Sequence, residues 1–331
     1  MIRRRPLRCL GTLAWLAAAF LQSAWALDVT TFHYDNQRTG ANTAETILNQ
    51  SNVSALTFGK LYERTVSGDI FAQPLYLANV NIGGGSHNVI YVATENNYVY
   101  CFDADNSATP AYWTRSDLGA PAPRTDIIPW DTNYNTVIGI TSTPVIDRAS
   151  GTIYTVSMNK DAPGVFNFRL WAMDLATGAN KTGSPTVVTA TNFDPTRQAQ
   201  RSALTLANGK LYIAFASFSD QKQYSGYIIS YNPTTLAKLN EFLTCPSCVG
   251  AGNNGDFGAG IWMSGCGPAV DASGNLYVVT GNGTVNTTNA IVAGTNYGES
   301  IVKLDQNLAV VDFYTPQNRD YLNNVDADLG V

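Results

Sequence analysis

Histidine and charged side chains are scarce in this chain. Its 331 residues include two histidines, and aspartate, glutamate, lysine and arginine together make up 14% of it. His33 and His87 are too few for a tetrahedral zinc site, and their spacing does not suit activation of a serine or cysteine for acyl transfer. The basic residues are scattered and form no stripe, so nucleic acid is not an expected partner.

Long apolar runs are also missing, except for one at the N-terminus. Four arginines within the first eight residues precede the apolar stretch 10–21, which is short for a membrane span. Ala24 and Ala26 place small residues at both positions that determine cleavage. We therefore predict that residues 1–26 are a signal peptide and that residues 27–331 are exported to the periplasm or the medium. An uncleaved N-terminal anchor is the alternative; after cleavage no membrane attachment is expected.

Adjacent cysteines are absent from the chain, and four cysteines remain beyond the signal peptide. Cys101 lies inside an apolar run and is expected to be a buried small hydrophobe. Cys245, Cys248 and Cys266 lie close together, and in an oxidising compartment a disulfide within this trio is favoured over a metal site. Because Val249 rather than histidine follows the CxxC pattern, covalent haem attachment is excluded.

Paired apolar strands recur four times along the chain. Each repeat has an alternating run with a tyrosine, a polar turn, and a second run that ends in aspartate or asparagine. The tyrosines are 63, 58 and 65 residues apart: Tyr91, Tyr154, Tyr212 and Tyr277. A near-constant period of paired strands indicates a radial or stacked β architecture. We predict an all-β fold, a β-propeller of four-stranded antiparallel blades with about four blades present; a β-sandwich is the alternative.

Long segments separate the repeats, and the last of them is followed by an unusual ending. Residues 120–138, 186–200, 243–263 and 281–298 are expected to be loops that collect on one face of the propeller and form its binding surface. Residues 325–331 look like the approach to a fifth repeat. Since four blades alone would leave an exposed strand edge and an apolar face, we expect further C-terminal blades to close the structure.

Several phrases of the chain resemble the quinoprotein alcohol dehydrogenase-like propellers. The resemblance lies in Tyr91–Trp113 (YVATENNYVYCFDADNSATPAYW) and Ala172–Gly178 (AMDLATG). More closely, Gly260–Gly265 (GIWMSG) and Asp326–Gly330 (DADLG) are similar to secreted bacterial PQQ-repeat proteins. A complete propeller of this family usually has eight blades, which would make this chain roughly the first half.

The resemblance implies a cofactor site on the propeller axis. In catalytic members pyrroloquinoline quinone (PQQ) lies between a tryptophan ring and a vicinal disulfide. Trp262 matches the stacking tryptophan, and Arg201 falls in the region that could meet a quinone carboxylate. The alternatives are a tryptophan packed between blades and an arginine in an ordinary ion pair.

The resemblance also implies a calcium ion and a carboxylate base. Asn282 matches the position of a calcium-binding asparagine, and Asp161 could replace the acidic calcium ligand of the second repeat. Asp326 and Asp328 fall near the catalytic aspartate that takes the proton of an alcohol. Alternatively, Asn282 is a turn residue and the two aspartates belong to a loop before a strand.

Two functional hypotheses follow. The missing cysteine pair favours a secreted propeller with a degenerate cofactor site, whose loop face binds a small molecule, a polymer or a protein. The family-like positions of Trp262, Asn282 and the two aspartates favour a PQQ- and calcium-dependent dehydrogenase of an alcohol or sugar.

Overall fold

The structure is a computed structural model, described here for residues 27–131, 136–221, 223–250, 255–285 and 296–330. The predicted signal peptide, residues 1–26, lies outside these ranges. Within them, no helix has both the length and the apolar character needed to cross a membrane.

Four antiparallel sheets follow one another along the chain. The first consists of β1 (Leu75–Ile82), β2 (Gly85–Ala93), β3 (Val99–Asp103) and β4 (Trp113–Arg115). After β5 (Ala122–Pro123), α1 (Arg124–Ile127) and β6 (Val137–Ile138), the second contains β7 (Val145–Asp147), β8 (Thr152–Ala162), β9 (Val165–Asp174) and β10 (Thr186–Val187). The third contains β11 (Gln198–Ala199), β12 (Thr205–Ala207), β13 (Lys210–Ser217), β14 (Tyr227–Tyr231) and β15 (Lys238–Leu243). The fourth contains β16 (Ala269–Val270), β17 (Leu276–Val279), β18 (Ile301–Leu304) and β19 (Val310–Tyr314). The remaining helices are two 3₁₀ turns, Pro246–Cys248 and Met263–Gly265, and α2 (Arg319–Val325).

The sheets confirm the predicted fold class. Each repeat tyrosine pairs with the first residue of the strand that precedes its own: Tyr91 with Leu75, Tyr154 with Val145, Tyr212 with Thr205 and Tyr277 with Ala269. Apolar residues on these strands point alternately to the two faces of each sheet, so both faces can be buried. Three apolar clusters therefore form between successive sheets, joining the first to the second, the second to the third and the third to the fourth.

The repeat tyrosines also link neighbouring sheets by hydrogen bonds. Tyr91 Oη donates to Leu175 O at 2.9 Å, Tyr154 Oη to Pro233 O at 3.0 Å, and Tyr212 Oη to Gln306 O at 2.9 Å. In each case the acceptor directly follows an aspartate or asparagine at the end of β9, β14 or β18, the strand that comes after the tyrosine strand of the next sheet. We call these bonds the tyrosine ties. They explain why the tyrosine and the terminal acid recur together in the sequence.

Tyr277 differs from the other three. Its hydroxyl donates to Asp271 Oδ2 of its own sheet at 3.0 Å, and Lys303 Nζ lies 5.4 Å from the centre of its ring. Tyr62, which precedes the first sheet, instead donates to Ala104 O, again the residue after a terminal aspartate. The same kind of tie therefore meets the first sheet from the N-terminal side.

Residues 29–38, which we call the strap, cross the strand that precedes the tyrosine strand in each of the four sheets, namely β1, β7, β12 and β16. Val29 and Tyr76 exchange backbone hydrogen bonds, and Ile146 N donates to Thr30 O at 2.8 Å. Further along, Asn36 Nδ2 donates to Leu206 O at 2.9 Å, and Val270 N donates to Asn36 O at 2.7 Å. Since one segment of ten residues contacts β1, β7, β12 and β16, these four strands lie close together around a common axis.

Two local expectations need correction or completion. Residues 120–138 are not all loop, because β5 and β6 pair and flank α1. Residues 186–187 supply the outer strand β10 of the second sheet. A disulfide within the cysteine trio is confirmed as Cys245–Cys248, and the burial of Cys101 is confirmed.

Candidate functional site

A cavity of about 440 Å³ lies where loops from the first three sheets meet. Apolar rings and polar groups share its wall, which is a common composition for small-molecule sites of this size. Its lining includes Phe71, Glu95, Arg124, Thr141, Arg201, Ser217, Asp220 and Trp262. The sequence-predicted cofactor residues, Trp262 and Arg201, are therefore brought together.

Trp262 is half-buried and packs against the apolar cluster between the second and third sheets. A Cβ on Gly260 would lie 3.1 Å from the Trp262 indole nitrogen, so the glycine leaves room for the ring. The next residues, Met263 and Ser264, both have positive φ values, 49° and 44°. Such left-handed backbone is strained for residues other than glycine and is concentrated at functional sites. Met263 N also donates to Gly330 O at 3.0 Å, which ties this turn to the segment that carries Asp328.

Arg201 forms a positively charged side of the same cavity. Its Nη1 donates to Thr141 O at 3.1 Å, and its guanidinium carbon lies 5.8 Å from the centre of the Phe71 ring. A Cβ on Gly265 would lie 2.4 Å from Arg201 Nη1, so glycine is required there. Burial lowers the pKa of Arg201, and the charge of Glu95 opposes this effect. A guanidinium beside an aromatic ring, in a cavity that Trp262 also lines, suits a flat, anionic ligand.

Asn282, Asp326 and Asp328 form a second group that the structure brings together. Asn282 N donates to Asp328 Oδ1 at 2.6 Å, and Asn282 Nδ2 donates to Asp326 Oδ1. The segment after α2 is held in this position because Gly283 and Asn323 exchange hydrogen bonds of 2.9 Å. Burial raises the pKa of Asp328, and the negative charges of Asp220 and Asp326 raise it further, against the hydrogen bond from Asn282.

Asp220 connects the two groups, and sequence reasoning missed it. It lines the cavity and influences the charge of Asp328. Its carboxylate accepts hydrogen bonds from Tyr224 Oη at 2.6 Å and from Ser217 Oγ at 3.0 Å. The available signal was the group of polar residues Ser217, Ser219 and Asp220, which comes directly after the apolar residues 211–216 of β13.

Glu299 was also missed. Its side chain is 0% exposed, and its Oε2 accepts a hydrogen bond from Leu329 N at 2.8 Å. Burial, with Asp328 and Asp326 adding to it, raises the pKa of Glu299 to about 7, and the bond from Leu329 opposes the rise. A glutamate between glycine and serine at the start of a strand gives no motif, so only the fold reveals it.

Asp161 lies apart from this group. It is exposed near the end of β8, where Arg169 Nη2 donates to it at 2.7 Å and Asn167 Nδ2 at 2.6 Å. Its neighbour Lys160 pairs with Asp126 at 2.5 Å. The structure thus places the proposed second-repeat calcium ligand in an ion pair on the β8–β9 hairpin.

The oxygen atoms beside Asn282 are of the kind that binds a hard cation, although in the part of the chain that the structure describes they do not come from three acidic side chains around one point. No three acidic, histidine or cysteine side chains surround a common metal position within the described ranges. The side-chain oxygens Asn282 Oδ1 and Glu299 Oε1 are, however, buried and have no hydrogen-bond partner among the described residues. Amide and carboxylate oxygens are the ligands that calcium prefers. The fit therefore depends on a mixed set that includes Asn282, Asp328 and Glu299.

Comparisons with known proteins support the fold. No protein-family model matches the chain. No curated protein matches it either. Among solved structures, it is similar to a quinohaemoprotein alcohol dehydrogenase from Pseudomonas putida HK5, with 17% identity, TM-score 0.58, and 87% of this chain aligned to 40% of that one. It is also similar to the quinohaemoprotein alcohol dehydrogenase from Comamonas testosteroni, with 18% identity, TM-score 0.57, and 87% of this chain aligned to 41% of that one. A europium-containing methanol dehydrogenase has 13% identity and TM-score 0.58, with 89% of this chain aligned to 49% of that one.

These alignments cover less than half the length of each of the three enzymes. At such low identities the likeness concerns the fold alone. The chain has the β-propeller fold of the quinoprotein alcohol dehydrogenases.

Proposed function

We propose that the chain binds a planar, acidic quinone of the PQQ type in the cavity at Trp262, as part of a quinoprotein that oxidises an alcohol or sugar. The single observation that carries this proposal is the shared cavity of Trp262 and Arg201, with Asp220 leading to the Asp328 group. Stacking on an indole buries a large flat area, and a guanidinium recognises a carboxylate. The similarity to two alcohol dehydrogenases and a methanol dehydrogenase supports the reaction class.

Different residues of the chain would bind the quinone and take the proton of the substrate. Trp262 and Phe71 offer aromatic surface, and Arg201 orients an acidic edge of the ligand. Asp326, whose carboxylate accepts a hydrogen bond from Asn282 Nδ2, would take the proton of a substrate hydroxyl. When bound, the quinone would supply hydride acceptance, and a cation held at Asn282 would polarise it.

A second candidate, a non-catalytic binding propeller, rests on a specific difference from catalytic members. The described disulfide joins Cys245 and Cys248, and no adjacent cysteine pair exists in the sequence to cover a stacked ring. In this alternative the same cavity binds a flat ligand without redox chemistry. Other partners on the loop face, a polymer or a protein, belong to this second proposal.

The proposal includes export of the protein. Export is supported by the arginine-led apolar segment of residues 1–26. N-terminal sequencing of the secreted product tests export, because a mature protein beginning at Leu27 is expected. An intact N-terminus would contradict it.

The binding proposal is tested by titrating the purified chain with pyrroloquinoline quinone and following tryptophan fluorescence. We expect saturable quenching, with a dissociation constant that rises about fivefold in Trp262→Phe, because losing about 1 kcal/mol of stacking contact corresponds to about a fivefold change in affinity. Trp130→Phe is the matched control, because Trp130 is 65% exposed in a loop. Absence of saturable quenching in the unmodified chain would refute the proposal. Binding without dye reduction by the complete protein would favour the non-catalytic candidate.

A further inference from the structure

Glu299 is an unusual acid because it is completely buried and has no cationic partner. Its side chain is 0% exposed, and no lysine or arginine pairs with it among the described residues. One carboxylate oxygen, Oε2, accepts a hydrogen bond from Leu329 N, and the other, Oε1, is buried and has no partner within the part of the chain that the structure describes. An isolated buried carboxylate is costly, so a compensating proton or cation is required.

The surroundings of Glu299 place it beside the other acids. Glu299 N donates to Gly281 O at 2.9 Å, so these residues are neighbours across the β17–β18 pair. A Cβ on Gly281 would lie 2.5 Å from Asp328 Oδ1, so the Asp328 carboxylate occupies the space that a larger side chain would fill. Asp328 and Leu329 thus lie between the ends of these two strands, next to Asn282 on one and Glu299 on the other.

This local group concentrates negative charge, and no lysine or arginine of the described ranges forms an ion pair with its members. The charges of Asp326 and Asp328 both act on Glu299, and that of Asp220 acts on Asp328. At the same place Asn282 Oδ1 is a second buried oxygen that lacks a partner. Two buried, unpartnered oxygens beside several carboxylates match the donor type and charge that calcium needs, and irregular placement suits calcium better than magnesium.

We propose that Glu299 supplies the buried acidic ligand of a calcium-class cation site, together with Asn282 Oδ1 and Asp328. The inference rests on the proposed function in one respect, because the cation would lie beside the quinone cavity. Glu299, beside the fourth sheet, then takes the role of acidic calcium ligand that the sequence suggested for Asp161 of the second repeat. The Asp161 carboxylate is instead bound by Arg169 and Asn167.

The test is calorimetric titration of the purified chain with calcium, without quinone. We expect one equivalent to bind, with affinity reduced at least about tenfold in Glu299→Gln, which keeps the shape and removes the charge. Glu241→Gln is the matched control: Glu241 is a partly buried glutamate of β15 held by Lys238 and Thr191, and its replacement should leave calcium affinity unchanged. Loss of affinity in Asp161→Asn but not in Glu299→Gln would overturn the assignment, as would absence of calcium binding in the unmodified chain.

Thermal unfolding provides a second readout that does not depend on calorimetry. In EDTA, Glu299→Gln is expected to unfold at a temperature equal to or above that of the unmodified chain, which shows that it folds. Calcium should raise the unfolding temperature of the unmodified chain and of Glu299→Asp, but not of Glu299→Gln; an equal rise in all three would refute the proposal. Quinone titration in EDTA is independent, so failure of the cation site is distinguishable from failure of the cavity at Trp262.

Discussion

Burial of Glu299 predicts a specific loss of stability at neutral pH in the cation-free protein. Its pKa rises from an ordinary 4.5 to about 7 in the folded state, chiefly through burial. Between these two pH values the unfolded chain releases the proton while the folded chain keeps it. Stability from this group is therefore fully present below pH 4.5 and is lost as the pH rises through about 7.

The size of this effect follows from the shift. Each pKa unit corresponds to about 1.4 kcal/mol, so the loss is on the order of 3 kcal/mol above neutral pH. The side chain is 0% exposed, so bulk water does not screen it directly. A change of this size is a large part of the stability of an ordinary domain.

Urea unfolding in EDTA measures the effect most cleanly as a difference between two proteins. The unmodified chain and Glu299→Gln share all other titrating groups, so subtracting their free energies of unfolding leaves mainly the contribution of residue 299. We expect the variant to gain about 3 kcal/mol relative to the unmodified chain between about pH 4.5 and pH 8. A difference that stays constant over this range would mean that Glu299 titrates normally, and the electrostatic reasoning would fail.

Two further predictions concern packing. Tyr154→Phe should lower the free energy of unfolding in urea by about 1–2 kcal/mol, because Pro233 O loses its hydrogen bond. Tyr277→Phe should lower it by less than about 1 kcal/mol, because its acceptor Asp271 is near solvent. Equal losses in the two variants would refute the role of the tyrosine ties. Gly281→Ala should cost about 1–3 kcal/mol, because the new Cβ would lie 2.5 Å from Asp328 Oδ1, and an unchanged stability would contradict the docking of that segment.

The fold was largely predictable from sequence because its determinants are periodic. The tyrosines and terminal acids recur at matching places, and the structure shows that the two are joined by the tyrosine ties. The outer strand β10 and the β5–β6 pair could not be predicted, since strands of two residues carry no alternating pattern.

The candidate site was less predictable, because its residues come from different repeats. Trp262 and Arg201 share a cavity, but the acidic groups that accompany them, Asp220 and Glu299, follow no spacing rule. Asp161 was selected by its position within the second repeat, whereas it is Asp220 of the third repeat that lines the cavity with Trp262 and acts on Asp328. Repeat position predicts backbone placement well and side-chain neighbours across repeats poorly.

The strap has a consequence for the order in which the chain can fold. Arg38 Nη2 bonds to Thr205 Oγ1 at 2.6 Å and contacts Pro268 O, which is 230 residues further along. Contacts of such separation close very long loops and form slowly. During synthesis, the strap must therefore wait until Val270 has been made before all its hydrogen bonds can form. Successive sheets can form along the chain through contacts with their neighbours alone. The strap, however, completes its contacts with all four sheets only after β16 of the fourth sheet has been made.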